Sequence, residues 1–229
     1  MTAIPIVALD FPDAERAMTF VQTLDEKCRF YKVGSELFTA SGADIIQWLR
    51  DTGCDVFLDL KLHDIPNTVA GAMRNVAKMG VKLATVHASG GSKMMQAAVE
   101  AAGQSCGVLA VTILTSLDDR ALGEAWGRDR VDVENEVLRL AEIARSAGVH
   151  GIVCSGHEVE AVSSRHGKAL KILVPGIRLP GDATGDQARI VTPQSAGEAG
   201  ATYIVLGRSV TAAANPREAM SRVTSLIPQ

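Results

Sequence analysis

The chain has 229 residues, of which 47% are apolar and 21% charged, a globular composition that excludes wholesale disorder and leaves room for one domain or two. Its 23 basic and 26 acidic residues give a net charge of −3 without any basic run, and its few aromatics (Phe 5, Trp 2, Tyr 2) are scattered. Neither a nucleic acid nor a membrane surface is therefore the expected partner.

In chain order, short β-branched runs fall at 4–9, 29–33, 56–61, 82–87, 108–114, 151–154, 171–174 and 202–206. Helical patterns lie between them. A helix over 43–51 ends at Gly53, one opened by Pro66 ends at Gly80, and one over 134–146 ends at Gly148. Thr192-Pro193 and Asn215-Pro216 each supply an N-cap followed by proline at the first helical position. Eight alternations of about 29 residues each match the size of a βα unit. They predict a single-domain (β/α)8 TIM barrel over 1–229, with an open doubly wound sheet as the rival. A core this poor in rings suits many strand–helix contacts filled by Ala, Val, Leu and Ile. The polar stretch 116–132 reads as an insertion or extra helix. The Gly- and Pro-rich stretch 175–191 reads as a long, functional loop.

Location signals are spare. Acids arrive early, at Asp10, Asp13 and Glu15, which does not fit a signal peptide. The longest uncharged stretch, 101–117, is broken by Gly103, Gln104, Ser105 and Gly107 and does not read as a membrane span. Cys28, Cys54, Cys106 and Cys154 form no CxxC pair and read as small buried hydrophobes in a reducing cytoplasm.

A parallel barrel carries its chemistry at the C-terminal ends of its strands. Those positions hold Asp10, Lys32, Asp59, Lys61, Asp64, His87, Thr115, Arg178 and Gly207-Arg208. Strand alternation puts Asp59 and Lys61 on one face with Phe57 a layer below, and Leu58, Leu60 and Leu62 toward the helices. Acids around a lysine favour its ammonium form, and a positioned ammonium can donate a proton or clamp negative charge. A structural ion pair at the rim is the competing reading, and Lys32 and Asp10 at neighbouring strand ends count against it. Gly207 and Arg208, with Arg178 and Gln187 on the preceding loop, suit a phosphate dianion; a mobile surface loop with a stray arginine is the alternative. No two glycines are two apart, so GxGxxG is absent, and there is no Walker A run. Lys61 between Asp59 and Asp64 competes with a cation, so no metal is expected. His87 reads as a neutral, hydrogen-bonded histidine, and His63 as packed outside or at an interface. His150, His157 and His166 lack ligand spacing, Cys154 reads as core, and Trp48 and Trp126 receive no function.

These residues resemble the bacterial-type orotidine 5′-phosphate decarboxylases. The matching strings are Val-Ala-Leu-Asp10, Lys32-Val-Gly, Asp59-Leu-Lys-Leu-His-Asp-Ile-Pro-Asn-Thr68, Val-His-Ala-Ser-Gly-Gly91, Leu-Thr115-Ser, Val-Cys-Ser155, Pro175-Gly-Ile-Arg178, Gly185-Asp-Gln187 and Gly207-Arg208. Asp-x-Lys-x-x-Asp alone is shared with sugar-phosphate decarboxylases and aldolases on related barrels. The ten-residue string, with the Gly-Ile-Arg and Gly-Asp-Gln pieces, is far more specific. The resemblance implies a homodimer that converts orotidine 5′-phosphate to uridine 5′-phosphate and CO2 without metal or organic cofactor. It implies that Lys61 gives the proton to C6 and that Asp59 lies by the departing carboxylate. Asp64 and Thr68 would enter from the partner subunit, and Lys32 and Asp10 would hold the ribose. Thr115, or Ser116 in its place, would meet the pyrimidine edge, and Arg178, Gln187, Gly207 and Arg208 would grip the phosphate. The rivals are a magnesium-dependent sugar-phosphate enzyme on the same barrel and a nucleotide sensor that lost the chemistry.

Overall fold

The computed structural model describes residues 2–180 and 191–228. Its strands are β1 (Ile4–Ala8), β2 (Phe30–Gly34), β3 (Asp55–Leu62), β4 (Leu83–His87), β5 (Gly107–Val111), β6 (Gly151–Val153), β7 (Lys171–Ile177) and β8 (Tyr203–Leu206). The helices between and after them are α1 (Ala14–Leu24), α2 (Ser35–Ser41), α3 (Asp44–Asp51), α4 (Pro66–Lys78), α5 (Gly91–Ala102) and α6 (Asp119–Trp126). They continue with α7 (Val133–Ser146), α8 (Val159–His166), α9 (Pro193–Glu198), α10 (Arg208–Thr211) and α11 (Pro216–Leu226). Every strand pairs in parallel with the next, and β8 closes onto β1. The fold is the (β/α)8 barrel, and closure rules out the open sheet.

Alternation along the strands splits the apolar residues into two layers. Ile6, Ala8, Phe30, Phe57, Leu83, Leu109, Val111, Val153, Leu173 and Val205 fill the barrel interior. Their alternates, among them Val7, Val33, Leu58, Val86, Ala110, Ile152 and Ile204, pack outward against the helices. Phe30 and Phe57, with Tyr203 packed beside them, are the rings of the interior; aliphatics do the rest. Each buried aliphatic side chain contributes about 1.5–3 kcal/mol, so a ring-poor core of this extent suffices.

Helix boundaries follow local chemistry. Asp13, Asp118, Asp132 and Asn215 each accept a backbone N–H three residues on, and Thr192 and Ser195 form a reciprocal capping box. Gly53, Gly80 and Gly148 adopt φ of 76°, 67° and 78° after α3, α4 and α7, where a side chain would be strained. The 116–132 stretch contains the extra helix α6, ended by Gly127 in the left-handed region.

Most expected strand ends hold to within a residue, and two move by three. The seventh strand does not stop at Val174 but runs through Pro175 and Gly176 to Ile177, with a register shift between Val174 and Ile177. Gly176, at φ 77°, supplies the bulge that lets the strand rejoin β8. Conversely, β5 ends at Val111 rather than at residue 114. There the N–H of Thr112 makes the last ladder bond, to the carbonyl of Val153, and its hydroxyl donates to the same oxygen. Among the described residues, no helix is long and apolar enough to cross a membrane.

Candidate active site

The C-terminal end of β3 is irregular, and that irregularity builds the site. Leu58 pairs with Ala84 and Leu62 with Val86, so four steps along β3 match two along β4. The excess forms a bulge over residues 59–61, with Lys61 at φ 52°, an uncommon conformation for a residue other than glycine. Leu60 and Leu62 still pack on the outer core, as alternation requires. Asp59 and Lys61 face each other, with Lys61 Nζ 2.8 Å from Asp59 Oδ2.

The pair belongs to a longer run of charge. Lys32 Nζ, on β2, lies 2.9 Å from Asp10 Oδ1 and 3.9 Å from Asp59 Oδ2. The side chains of Lys32 and Asp59 are only 12% and 14% exposed, against 36% for Lys61 and 60% for Asp10. Buried charge is costly unless paired, and alternating signs along Asp10–Lys32–Asp59–Lys61 meet that requirement. Gly34 makes room for it: a Cβ there would sit 2.9 Å from Lys32 Nζ.

Asp10 and Lys32 also line a cavity of about 330 Å³ with Arg178, Gly207 and Arg208. Five of the residues expected at the site thus share one pocket, and Lys32 links it to Asp59 and Lys61. Arg178 is 7% exposed and donates from Nη1 to the carbonyl of Ile177 at 3.1 Å. A Cβ on Gly207 would meet nothing within 4 Å. Two guanidinium groups in a cavity walled by Ala8 and Val205 suit an anion with several acceptor oxygens.

Other expected residues stand apart within the chain. Asp64 and Thr68 are exposed beyond β3, and Asp64 Oδ1 accepts the N–H of Ile65 at 2.6 Å rather than reaching Lys61. Thr115 is half-buried in a turn past the end of β5. Gln187 lies outside the described residues. His87, expected to be hydrogen-bonded, instead packs its ring on that of His63, with centroids 5.3 Å apart. Burial, then His63 and Lys61, hold its imidazole below the ordinary value, against the opposing pull of Asp59. Cys154 is fully buried, as its core reading requires, and Trp48 packs on the outer core.

Two residues were missed from sequence. Thr85, on β4, is 1% exposed and donates to Asp59 Oδ1 at 2.9 Å. The signal was available: a hydroxyl in an apolar strand, in step with interior-facing Leu83 and with His87. Glu158, beyond β6, is 3% exposed and accepts the N–H and hydroxyl of Ser155 at 2.9 and 2.6 Å. Its Ser-x-x-Glu spacing is that of a capping box.

Comparison with known proteins matches residues 4–223 to the model of the orotidine 5′-phosphate decarboxylase / HUMPS family. An orotidine 5′-phosphate decarboxylase of Enterococcus faecalis is 46% identical, covering 96% of this chain and 95% of its own. One of Methylacidiphilum infernorum is 49% identical, covering 90% and 89%. The crystal structure of orotidine 5′-phosphate decarboxylase from Lactobacillus acidophilus superposes with a TM-score of 0.87 at 36% identity, covering 99% of each chain. With a matching family model over nearly its whole length and relatives this similar, the chain belongs to the orotidine 5′-phosphate decarboxylase / HUMPS family.

Proposed function

We propose that this protein decarboxylates orotidine 5′-phosphate to uridine 5′-phosphate, the last step of de novo pyrimidine nucleotide synthesis, with Lys61 as the proton donor to C6. The observation that carries the reading is the Asp10–Lys32–Asp59–Lys61 run, largely covered at its Lys32–Asp59 centre, opening into the arginine-lined cavity. Loss of CO2 leaves an electron pair on C6 of the pyrimidine. The Lys61 ammonium, already aligned by Asp59, stabilises that charge without reorganising and then gives its proton to the same carbon. Asp59 lies by the departing carboxylate. Lys32 and Asp10 take the ribose hydroxyls, and Thr115 or Ser116 meets the pyrimidine edge. Arg178, Gly207 and Arg208, with Gln187, hold the phosphate. Binding energy gained at the phosphate, away from C6, serves to orient the base and exclude water. No step requires a metal or organic cofactor.

The working unit in this reading is a homodimer of single-domain barrels in the cytoplasm. Asp64 and Thr68 are exposed, and Ile65 beside them is 67% exposed. A second copy covering this segment would bury Ile65 and bring Asp64 to the partner's lysine. Four free, buried cysteines suit a reducing compartment.

The test is direct. Purified protein with a chelator should discharge the ultraviolet absorbance of orotidine 5′-phosphate and yield uridine 5′-phosphate. No spectral change defeats the reading. Activity that appears only on sugar phosphates and only with magnesium assigns the chain to the enediolate-forming branch of these barrels instead.

A further inference from the structure

We infer that Thr85 is a positioning residue of the proposed decarboxylation: its hydroxyl fixes both the Asp59 carboxylate and the backbone bulge that carries Lys61. The inference rests on the function proposed above and concerns a residue outside the charge run. Thr85 sits on β4 between Ala84 and Val86, the two residues that flank the mismatch with β3. Opposite the bulge, the regular ladder partner is missing, and a side chain replaces it. Thr85 Oγ1 accepts the backbone N–H of Lys61 at 2.9 Å and donates to Asp59 Oδ1 at 2.9 Å. One hydroxyl thus uses its donor and an acceptor on the two residues that meet through Lys61 Nζ and Asp59 Oδ2. The three bonds close a ring: Thr85 to Asp59, Asp59 to the Lys61 ammonium, and the Lys61 backbone to Thr85.

The ring answers a specific difficulty. Lys61 holds φ at 52°, a conformation that persists only where its surroundings over-determine it. The bond from its N–H to Thr85 is one such restraint. Asp59 is pulled by two ammonium groups through Oδ2, at 2.8 and 3.9 Å, and Thr85 pins the other oxygen. Without the hydroxyl, the carboxylate is free to turn about its terminal torsion, and the lysine it aims moves with it. Thr85 itself is 1% exposed and touches the reacting groups only through Asp59 and Lys61, so it acts on the rate through their placement.

Thr85→Val keeps the size and β-branching but removes donor and acceptor. It should lower kcat by about 100-fold, the scale of a misplacement near 1 Å, while KM stays within about threefold. Thr85→Ser should recover most of the rate. A valine variant with wild-type kcat overturns the inference, as does a serine variant no faster than valine. So does a rate loss that merely tracks the unfolded fraction in a melting curve. If the valine variant does not fold, Thr85→Ala bears the same comparison with serine. Geometry gives a readout independent of turnover. In a crystal structure of the valine variant the Asp59 carboxylate should turn and Lys61 should leave the left-handed region; an unchanged bulge overturns the inference. A wild-type protein that does not decarboxylate orotidine 5′-phosphate fails the proposed function instead, and the crystallographic comparison still decides the role of Thr85.

Discussion

The two ends of the barrel carry the same residue types and use them differently. Strand β3 begins at Asp55 and reaches Asp59 near its end, and each aspartate meets a lysine. At the N-terminal mouth, Lys82 Nζ lies 3.7 Å from Asp55, with side chains 61% and 54% exposed. At the C-terminal mouth, Asp59 is 14% exposed, engages two lysines and takes a third bond from Thr85. The N-terminal end also has a cavity, of about 400 Å³, where His150 Nε2 approaches the Tyr203 hydroxyl at 3.2 Å. Volume and ionisable groups are therefore present at both ends. What separates them is a chain of charge with a desolvated Lys32–Asp59 centre, held on a strained backbone. A solvated ion pair is worth little, whereas a buried one must be supported by further bonds and fixes its groups in place.

Removing Lys61 is the largest perturbation of that contrast. Lys61→Ala should lower the steady-state decarboxylation rate by about 1,000-fold or more, because in the proposed function it removes both the proton donor and a charge clamp. Asp59 keeps Lys32 at 3.9 Å and Thr85 at 2.9 Å, so the variant should fold and still bind uridine 5′-phosphate by titration calorimetry. Turnover at the normal rate would remove Lys61 from its role. Mixing this variant with Asp64→Ala through unfolding and refolding tests the shared site. Recovery to about a quarter of wild-type activity is expected if Asp64 serves the partner, because random pairing makes half the dimers mixed and each mixed dimer has one intact site. No recovery places Asp64 on its own lysine.

Arg208→Ala acts at the same mouth but, in the proposed function, away from the reacting carbon. Arg208 is exposed at the start of α10 and lines the cavity with Asp10 and Lys32. Loss of a charge-assisted clamp on a dianion should reduce kcat/KM by about 100-fold in initial-rate measurements, with melting temperature unchanged. Near-wild-type kcat/KM would place the phosphate elsewhere. A loss confined to KM would mean that the phosphate contributes uniform binding and does not assist the chemical step.

The contrast also shows how far a sequence can be read. The barrel was legible because eight β-branched runs at even spacing admit few topologies, and the caps at Asn215 and Thr192 are local chemistry. Asp10, Lys32, Asp59 and Lys61 were legible because charge at the end of an apolar strand needs a reason. The bulge in β3 was not, since it depends on register with β4, a property of two strands together. Thr85 went unseen for the same reason: its hydroxyl matters only opposite that bulge. The extension of β7 through Pro175 and Gly176 was hidden because both residues ordinarily mark a turn, and pairing of Ile177 with Leu206 and with Val191 keeps them in the strand. His87 was read as hydrogen-bonded from its strand-end position, but its neighbour proved to be the ring of His63.

The smallest expected effect lies at the opposite end, with Lys82→Ala. Lys82 and Asp55 are more than half exposed, so water screens their attraction and solvates either charge alone. Exposed pairs of this kind contribute about 0–1 kcal/mol, and Lys82 holds its side chain in one geometry at an entropic cost that offsets part of that. Urea unfolding should therefore shift by no more than about 1 kcal/mol, and kcat and KM should both match wild type. Raising the salt concentration should erase whatever stability difference remains, because a solvated pair is screened over about 10 Å at 0.1 M ionic strength. A Lys82 variant that lost activity would mean that the N-terminal mouth is coupled to the chemistry at the other end. Burial and connectivity would then no longer be enough to tell a structural Asp–Lys pair from a working one.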